Sequence, residues 1–416
     1  MLSQTKLVAE IPGRKGTGVL NFGASFKSFF VPIQHVRSRF DWDRTRVTAI
    51  IPTYAPSEFT LRLVQDLLRW NPRLFIYVVD DSTPQEQDRA LRFLEIVSLS
   101  CRVRLLRTPT NTLKAGALNY ALRSIERERR EDVPDVILTV DDDVVIDKNT
   151  VKNLVTELMS FEGLGAVCSQ SRVYNKNKNL LTRLQGLEYV GFNAVRLADE
   201  GFLQGPLVMH GMLTAFRAAA LREVGGFAEG HLIEDYEVTT RLKVRGWSVK
   251  SAQHSLAWTI VPERLSQFWR QRTRWSYGGV TVVAGATRLS SVFQDVLGHS
   301  MFLSTLGMVL LLVLSQHIGS AAPALARWIA ILSLSQLGVS YVFQLWLMRG
   351  YQEKDLLDWL IRASIVPEFI YGYMMTLALI GSYLFLSFNM LKKAGSRFFR
   401  ACGYAEKRWG TRALKI

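Results

Sequence analysis

A run of three aspartates follows the β-branched segment 136–140, and it could do chemistry there. Asp141 and Asp143 are two residues apart, so a turn at a strand end would direct both carboxylates to one point. Neighbouring carboxylates repel one another, and a cation relieves that repulsion. Oxygen ligands suit Mg²⁺ or Mn²⁺, and Mg²⁺ typically combines one or two carboxylates with substrate phosphates. Because acidic triplets are also common on surfaces, the position after a strand is what favours a metal site here.

Two further groups could belong to such a site, although each has an ordinary structural explanation. Asp80 and Asp81 follow the apolar segment 75–79, but acidic pairs also begin turns and cap helices. Lys114 lies near the start of a helical pattern and could meet a phosphate, whereas lysines in such positions are usually solvated. The residues alone leave both alternatives open.

A second acidic pair begins the amphipathic pattern 233–245. Glu234 and Asp235 fall in the first turn of that predicted helix, where the helix dipole favours acidic side chains. This placement could be simple stabilisation of the helix. A carboxylate in a cleft opposite a nucleotide could equally serve as a general base.

The segment 268–275 is dense in arginine and tryptophan and comes shortly before the most apolar part of the chain. It contains Gln271, Arg274 and Trp275. A basic aromatic segment in this position could anchor the protein to lipid headgroups. It could also bind phosphates through arginine and stack a sugar ring on tryptophan.

The elements that must position these residues alternate between strand and helix patterns. β-Branched segments separated by amphipathic ones indicate parallel βαβ units in a doubly wound α/β sheet. Ligands of such sheets bind beyond the carboxyl ends of the strands, where the aspartates lie. The predicted strands are 47–51, 75–79, 103–106, 136–140 and 165–173, and the predicted helices are 58–70, 114–129 and 233–245.

The composition is that of a folded, basic protein. The chain has 416 residues, of which 48% are hydrophobic, and 51 Lys and Arg against 36 Asp and Glu give a net charge of +15. These figures exclude a disordered chain and favour anionic partners such as nucleotide phosphates and anionic lipid. Nucleic acid is disfavoured because much of the excess charge lies at the two ends, beside the apolar region. Three widely separated cysteines argue against a disulfide framework or a zinc knuckle.

The C-terminal quarter contains three uncharged runs, at 296–326, 328–348 and 369–388. Each is long enough to cross a hydrocarbon core of about 30 Å as a helix. We therefore expect about three transmembrane spans. A strongly basic tail follows them, and positive segments tend to stay inside, which conflicts with an odd number of spans after a cytosolic domain.

These patterns divide the chain into five predicted parts. The N-terminal arm is basic and mildly amphipathic, and it could lie along a membrane surface or pack as an ordinary arm. The parts are the arm at 1–46, a catalytic domain at 47–279, an interfacial segment at 280–295, a transmembrane region at 296–388 and a basic tail at 389–416.

In this order along the chain, the motifs resemble those of family 2 glycosyltransferases with a GT-A-like sheet domain. More narrowly, they resemble the processive membrane synthases of cellulose, chitin, hyaluronan and poly-N-acetylglucosamine. The resemblance covers about residues 47–279, and the Q-x-x-R-W sequence at 271–275 is its most specific element. Family members often have Thr before the Glu-Asp pair, where this chain has Ile233. The matching motifs are Asp80-Asp81, Lys114-AGALN, Asp141-x-Asp143, Glu234-Asp235 and Gln271-x-x-Arg274-Trp275.

On the donor side, the resemblance implies a role for each matching residue. Asp80 and Asp81 would contact the uracil of a UDP-sugar, and Lys114 would lie near that donor. Asp141 and Asp143 would hold the diphosphate. Asp143 would act chiefly through Mg²⁺ or Mn²⁺.

On the acceptor side, the resemblance implies that Asp235 is the general base for the acceptor hydroxyl. Glu234 would lie beside it and shape the site. Gln271, Arg274 and Trp275 would close over the pyrophosphate and the acceptor sugar, with the tryptophan at the mouth of a channel.

His210 and Gly211 match a region that lines the acceptor pocket in these enzymes.

The implied activity is processive, inverting transfer of sugar from a UDP-sugar to a growing β-linked polysaccharide. The implied protein is a multi-pass protein of the cell membrane with a cytoplasmic catalytic domain. Its partners would be the donor, the polymer and the bilayer, with accessory secretion subunits allowed and nucleic acid not expected. The alternatives are a non-processive transferase acting on a polyprenyl phosphate and a non-catalytic membrane scaffold. The Q-x-x-R-W sequence disfavours the first, and the intact acidic set disfavours the second.

Overall fold

The computed structural model describes residues 40–128, 133–199, 204–315 and 322–401. Most of the predicted N-terminal arm and the end of the basic tail therefore lie outside the described residues. The strands are β1 (Val47–Thr53), β2 (Phe75–Asp80), β3 (Val103–Arg107), β4 (Val136–Val140), β5 (Val145–Ile146), β6 (Leu164–Val173), β7 (Leu213–Arg217) and β8 (Ser248–Thr259). They form one sheet in the order β3-β2-β1-β4-β7-β6-β8-β5.

Helices cover both faces of the sheet and continue beyond it. The first seven are α1 (Glu58–Trp70), α2 (Asp88–Ser98), α3 (Leu113–Glu128), α4 (Thr150–Met159), α5 (Leu180–Ala198), α6 (Ala218–Glu223) and α7 (Glu234–Val244). The others are α8 (Leu265–Gly285), α9 (Leu289–Ser315), α10 (Ala322–Leu347), α11 (Leu356–Ser364) and α12 (Val366–Ala401).

The N-terminal half of the sheet is the predicted set of parallel βαβ units. β1 pairs in parallel with both β2 and β4, and β2 pairs in parallel with β3. One buried apolar layer joins the sheet to α1, α2 and α4, and a second joins its other face to α3, α6 and α7. Apolar side chains on both faces explain why these strands are continuous hydrophobic runs. The doubly wound α/β prediction is confirmed here.

The other half of the sheet is mixed, which the sequence analysis did not predict. β7 runs antiparallel to β4 and β6, and Leu213 at its start pairs with Val140 at the end of β4. This direction places the residues just before β7 at the same edge as the carboxyl ends of β1, β2 and β4. The strand β8, parallel to β6, was also missed because it alternates small and polar residues without a β-branched run.

The C-terminal helices α9, α10 and α12 overlap the three uncharged runs, although the run 296–326 extends past the end of α9 and into the start of α10. Within the part of the chain that the structure describes, one helical stretch, Val366–Lys392, is long and apolar enough to cross a membrane. The helix α8 passes without a break through the predicted boundary between residues 279 and 280. At Ile365, a φ of 61° separates α11 from α12 and changes the chain direction.

Candidate active site

Lys114 links the two acidic motifs of the predicted site. Its Nζ lies 2.5 Å from Asp141 Oδ1 and 3.0 Å from Glu234 Oε1, and it donates to the carbonyl oxygen of Gly211 at 3.2 Å. Asp141 follows β4, Gly211 lies shortly before β7, and the other two residues begin α3 and α7. All four elements meet at one edge of the sheet, so residues that are far apart in the sequence form one cluster.

The charges of this cluster stabilise one another. Burial lowers the pKa of Lys114, but the charges of Asp141, Glu234 and Asp235 outweigh burial and raise it overall. Burial raises the pKa of Asp141 to about 6, although the lysine opposes that shift. For Glu234, burial acts to raise the pKa, and the charge of Lys114 turns the net shift downward. The lysine is therefore a fixed cation facing the carboxylates.

Asp235 lies in the same cluster and is held by backbone amides. Its Oδ2 accepts from the N–H of Gly211, and its Oδ1 accepts from the N–H of Tyr236, both at 2.8 Å. Burial, followed by the charge of Glu234, raises the pKa of Asp235 to about 6. Such a group is ionised at neutral pH yet basic enough to accept a proton. A Cβ at Gly211 would lie 2.5 Å from Lys114 Nζ, so a larger residue there would displace the end of the lysine side chain.

Threonines hold the other two aspartates of the 141–143 turn. Asp143 Oδ2 accepts from Thr259 Oγ1 at 3.0 Å, and Asp142 accepts from Thr53 at the end of β1. Burial raises the pKa of Asp143, and it raises the pKa of Asp142 to about 7. Sequence analysis missed both threonines. Nothing in the pattern of β8 predicted a strand that ends beside this turn with Thr259, and the predicted strand 47–51 stopped short of Thr53.

The carboxylates of Asp141 and Asp143 fit a hard divalent cation. Both supply oxygen ligands from one turn, and the charge of Asp143 adds to the raised pKa of Asp141, which a cation would relieve. No group of three or more His, Cys, Asp or Glu side chains that could hold a metal occurs among the described residues. A cation at this turn would therefore take further ligands from donor phosphates, as Mg²⁺ commonly does.

Asp81 and Asp80 anchor the loops beside this edge. Asp81 Oδ1 accepts hydrogen bonds of 2.8 Å from Thr108 Oγ1 and from both the N–H and the Oγ1 of Thr112. Asp80 Oδ2 lies 3.3 Å from Arg107 Nε. Because Thr112 directly precedes α3, the contacts of Asp81 also fix the start of the helix that carries the cluster's lysine. The predicted contacts with uracil stay predictions.

The Q-x-x-R-W residues lie on α8, which packs against the start of α7. Arg274 Nη1 donates to the carbonyl oxygen of Leu232 at 3.0 Å. Trp275 is half-buried and packs against Ile233. At Gly278, one turn further along, a Cβ would lie 2.9 Å from the Ile233 side chain, so the two helices approach closely. The structure therefore brings Arg274 and Trp275 close to the residues that directly precede Glu234 and Asp235.

Two predicted acceptor residues each contain a buried polar atom that no described group satisfies. Gln271 Oε1 and His210 Nδ1 lack a hydrogen-bond partner within the described ranges, while His210 Nε2 lies 2.5 Å from the carbonyl oxygen of Ser169. Burial and the charge of Arg196 lower the pKa of His210 to about 3, so the ring is neutral at neutral pH. With its proton on Nε2, the ring presents Nδ1 as an acceptor, and both atoms could accept hydrogen bonds from a ligand.

Residues 136–392 match the protein family described as "Glycosyl transferase family group 2". This chain belongs to that family. The matched range includes Asp141, Asp143, Glu234, Asp235 and Trp275, so the acidic cluster and the Q-x-x-R-W sequence lie inside it. The predicted assignment to the family 2 glycosyltransferases is confirmed for the matched residues.

Curated relatives of this glycosyltransferase include poly-beta-1,6-N-acetyl-D-glucosamine synthases. The protein from Staphylococcus aureus (strain COL) is 27% identical over 173 residues, and that from Staphylococcus epidermidis is 28% identical over the same length. Each alignment covers 42% of this chain and 40% of the relative. The chain thus spans two fifths of the length of the curated relatives it matches.

A solved structure of similar fold is the mannosyltransferase PcManGT from Pyrobaculum calidifontis in complex with GDP-Man and Mn²⁺. Its TM-score is 0.54 at 20% identity, and the alignment covers 81% of this chain and 95% of that chain. At this identity the likeness concerns the fold. The glycosyltransferase therefore has the GT-A-like sheet domain that its motifs predicted.

Proposed function

We propose that this glycosyltransferase is a processive synthase that transfers sugar from a UDP-sugar, with inversion, to a growing β-linked polysaccharide. One observation carries the proposal: Asp235 shares a cluster with the Lys114–Asp141 ion pair, and the helix bearing Trp275 packs against the turn just before it. This arrangement supports a site in which Asp235 would be the general base, with the proposed phosphate-binding residues and a flat apolar ring nearby. The name of the staphylococcal relatives, which describes a polymer synthase, supports the same product class.

On the donor side, Asp141 and Asp143 would hold Mg²⁺ or Mn²⁺ together with the diphosphate. When bound, this cation would supply the positive charge that stabilises UDP as a leaving group. The Mn²⁺ named with the mannosyltransferase from Pyrobaculum calidifontis supports a divalent ion. Lys114 and Arg274 would add fixed positive charge beside the phosphates, where charge develops during transfer. The loop that follows β2 would contact the uracil.

On the acceptor side, Asp235 would take the proton of the attacking hydroxyl. Attack of that oxygen on the anomeric carbon, with departure of UDP from the opposite face, would convert an α-linked donor into a β-linked product. Trp275 would hold the terminal sugar against its ring, which aligns the hydroxyl with the base. The unpartnered atoms of Gln271 and His210 would accept hydrogen bonds from sugar hydroxyls or amides.

The C-terminal helices would carry the polymer through a bilayer, with the catalytic domain on the cytoplasmic side. Large apolar side chains point outward from all three long helices: Leu310 is 59% exposed, Leu332 60% and Leu384 67%. Apolar surface of this extent is characteristic of contact with lipid or another protein. Together with the spanning length of Val366–Lys392, it supports a multi-pass arrangement.

The proposal is tested by supplying the purified full chain, in lipid nanodiscs, with each radiolabelled UDP-sugar. Separate reactions receive an oligosaccharide primer or a polyprenyl phosphate, and products are sized and digested with linkage-specific hydrolases. We expect long β-linked polymer from one UDP-sugar and none from Asp235→Asn. A lipid-linked monosaccharide as the sole product would refute processive synthesis and select the alternative that the sequence left open.

A further inference from the structure

Arg272 is the largest fully buried side chain among the residues that the structure describes. It lies within the Q-x-x-R-W sequence, at a position to which the sequence analysis gave no role. Its Nη1 lies 3.1 Å from Glu188 Oε1 and its Nη2 lies 2.5 Å from Glu188 Oε2. Nη2 also donates to the hydroxyl of Tyr371 at 3.2 Å, and that hydroxyl donates to Glu188 at 2.7 Å. We call these three residues the Arg272 cluster. It joins α5, α8 and α12.

The guanidinium of this cluster also lies over two aromatic rings. Arg272 Cζ is 4.5 Å from the ring centroid of Trp275 and 5.1 Å from that of Phe268. Two parallel hydrogen bonds to one carboxylate fix the plane of a guanidinium, and a planar cation stacks favourably on an indole face. Glu188 therefore determines the plane of the arginine, and the arginine provides a rigid support beneath the indole.

Stability alone is a weak explanation for this arrangement. A buried ion pair offsets a large desolvation cost, and packed apolar residues of similar volume often stabilise a fold as well or better. Among the residues that the structure describes, Arg272 contacts Glu188, Tyr371 and the two rings, and it makes no contact with the acidic cluster. Arg272 would therefore act on the site most directly by holding the ring of Trp275.

We propose that Arg272 and Glu188 are positioning residues that fix the indole of Trp275 in the orientation that receives the acceptor sugar. The inference rests on the proposed acceptor role of Trp275. It assigns no donor contact to either residue. Weakening the pair should therefore change acceptor use and leave UDP binding nearly unchanged.

The first test measures the indole directly. The full chain is labelled with 5-fluorotryptophan, and Trp275→Phe identifies the ¹⁹F resonance of that ring. Arg272→Lys keeps the positive charge but loses the planar stack and the paired hydrogen bonds, so the resonance should move or broaden. Arg270→Lys is the matched control, because Arg270 is exposed on the same helix and should leave the resonance in place. An unchanged resonance in Arg272→Lys overturns the proposal.

The second test separates positioning from a general structural role. For Arg272→Lys we expect the KM for a primer oligosaccharide to rise about tenfold and polymers to shorten, with UDP affinity within about twofold. Glu188→Gln, which keeps one acceptor oxygen for the arginine, should give a smaller change in the same direction. A parallel loss of UDP affinity would mean that the pair merely supports the fold, which overturns the proposal. If Trp275→Ala instead makes long polymer while Arg272→Lys still moves the resonance, the acceptor role fails and the positioning of the ring stands.

Discussion

The donor side and the acceptor side of the proposed site differ in how the chain builds them. On the donor side, Asp81 and Asp141 directly follow the parallel strands β2 and β4, which pair with the two edges of β1, and Lys114 lies at the start of the helix between them in sequence. On the acceptor side, Asp235 and Trp275 lie on helices that meet through packing at Ile233. Strand ends fix the first group by hydrogen-bonded register, whereas side-chain packing fixes the second. Substitutions on the two sides should therefore have different effects.

The largest effect should come from the donor side. Asp143→Asn removes the charge that would bind the divalent ion, so we expect activity and metal-dependent UDP binding to be lost together. UDP binding is measured by calorimetry with and without Mn²⁺, and turnover is measured in parallel. Full activity of the unmodified protein in excess chelator would disprove the metal assignment.

On the acceptor side, Asp235→Asn should separate binding from chemistry. The amide nearly preserves volume but cannot accept a proton, so transfer should fall by about 10²-fold or more while donor affinity survives. The measurement is single-turnover transfer beside UDP-sugar binding. If donor affinity falls in proportion to rate, Asp235 is a binding residue and belongs to the donor side.

A smaller and more selective change is expected at Trp275. In Trp275→Ala, UDP affinity should stay within about threefold of the original, while products become short oligomers because the terminal sugar loses its stacking surface. Trp275→Phe keeps a flat ring and should partly restore chain length. Product length is compared per correctly inserted enzyme, since a membrane-anchor role would instead lower insertion and leave chain length normal.

The two sides also differ in how far local sequence predicts them. The helix 58–70 and the strand 136–140 were predicted correctly, because amphipathic periodicity and β-branched runs are local signals. The strands β7 and β8 were missed, since their pairing depends on partners that are distant in the sequence. Arg272 gave no signal of burial, because its carboxylate partner lies 84 residues earlier. The aspartates of the donor side were predictable from strand ends. The threonine partners of Asp142 and Asp143 and the glutamate partner of Arg272 were not.

The pH dependence of transfer should show whether Asp235 on the acceptor side or Asp141 on the donor side is the group whose protonation lowers the rate. Burial raises the pKa of Asp235 to about 6, so the ionised form that accepts a proton decreases as the pH falls through 6. We expect the rate at saturating donor and acceptor to be flat above pH 7 and to fall about tenfold per unit well below pH 6. UDP affinity is measured at the same pH values. If it falls with the rate, protonation of Asp141, whose pKa is also raised to about 6, is responsible.

The smallest effect should come from removing the hydrogen bond that Thr259 donates to Asp143, and it tests whether that bond strengthens metal binding. Thr259→Val keeps the β-branched shape that suits the end of β8 but removes the hydroxyl that donates to Asp143. One such hydrogen bond contributes about 0.5–1.5 kcal/mol, so the Mn²⁺ concentration for half-maximal activity should rise by about two- to tenfold. Thr53→Val is the matched control, because its hydroxyl donates to Asp142, which is not a proposed ligand. If both variants shift the Mn²⁺ requirement equally, the two hydrogen bonds affect the whole 141–143 turn, and the bond to Asp143 has no separate effect on metal binding. A shift confined to Thr259→Val would show that β8 orients one particular carboxylate.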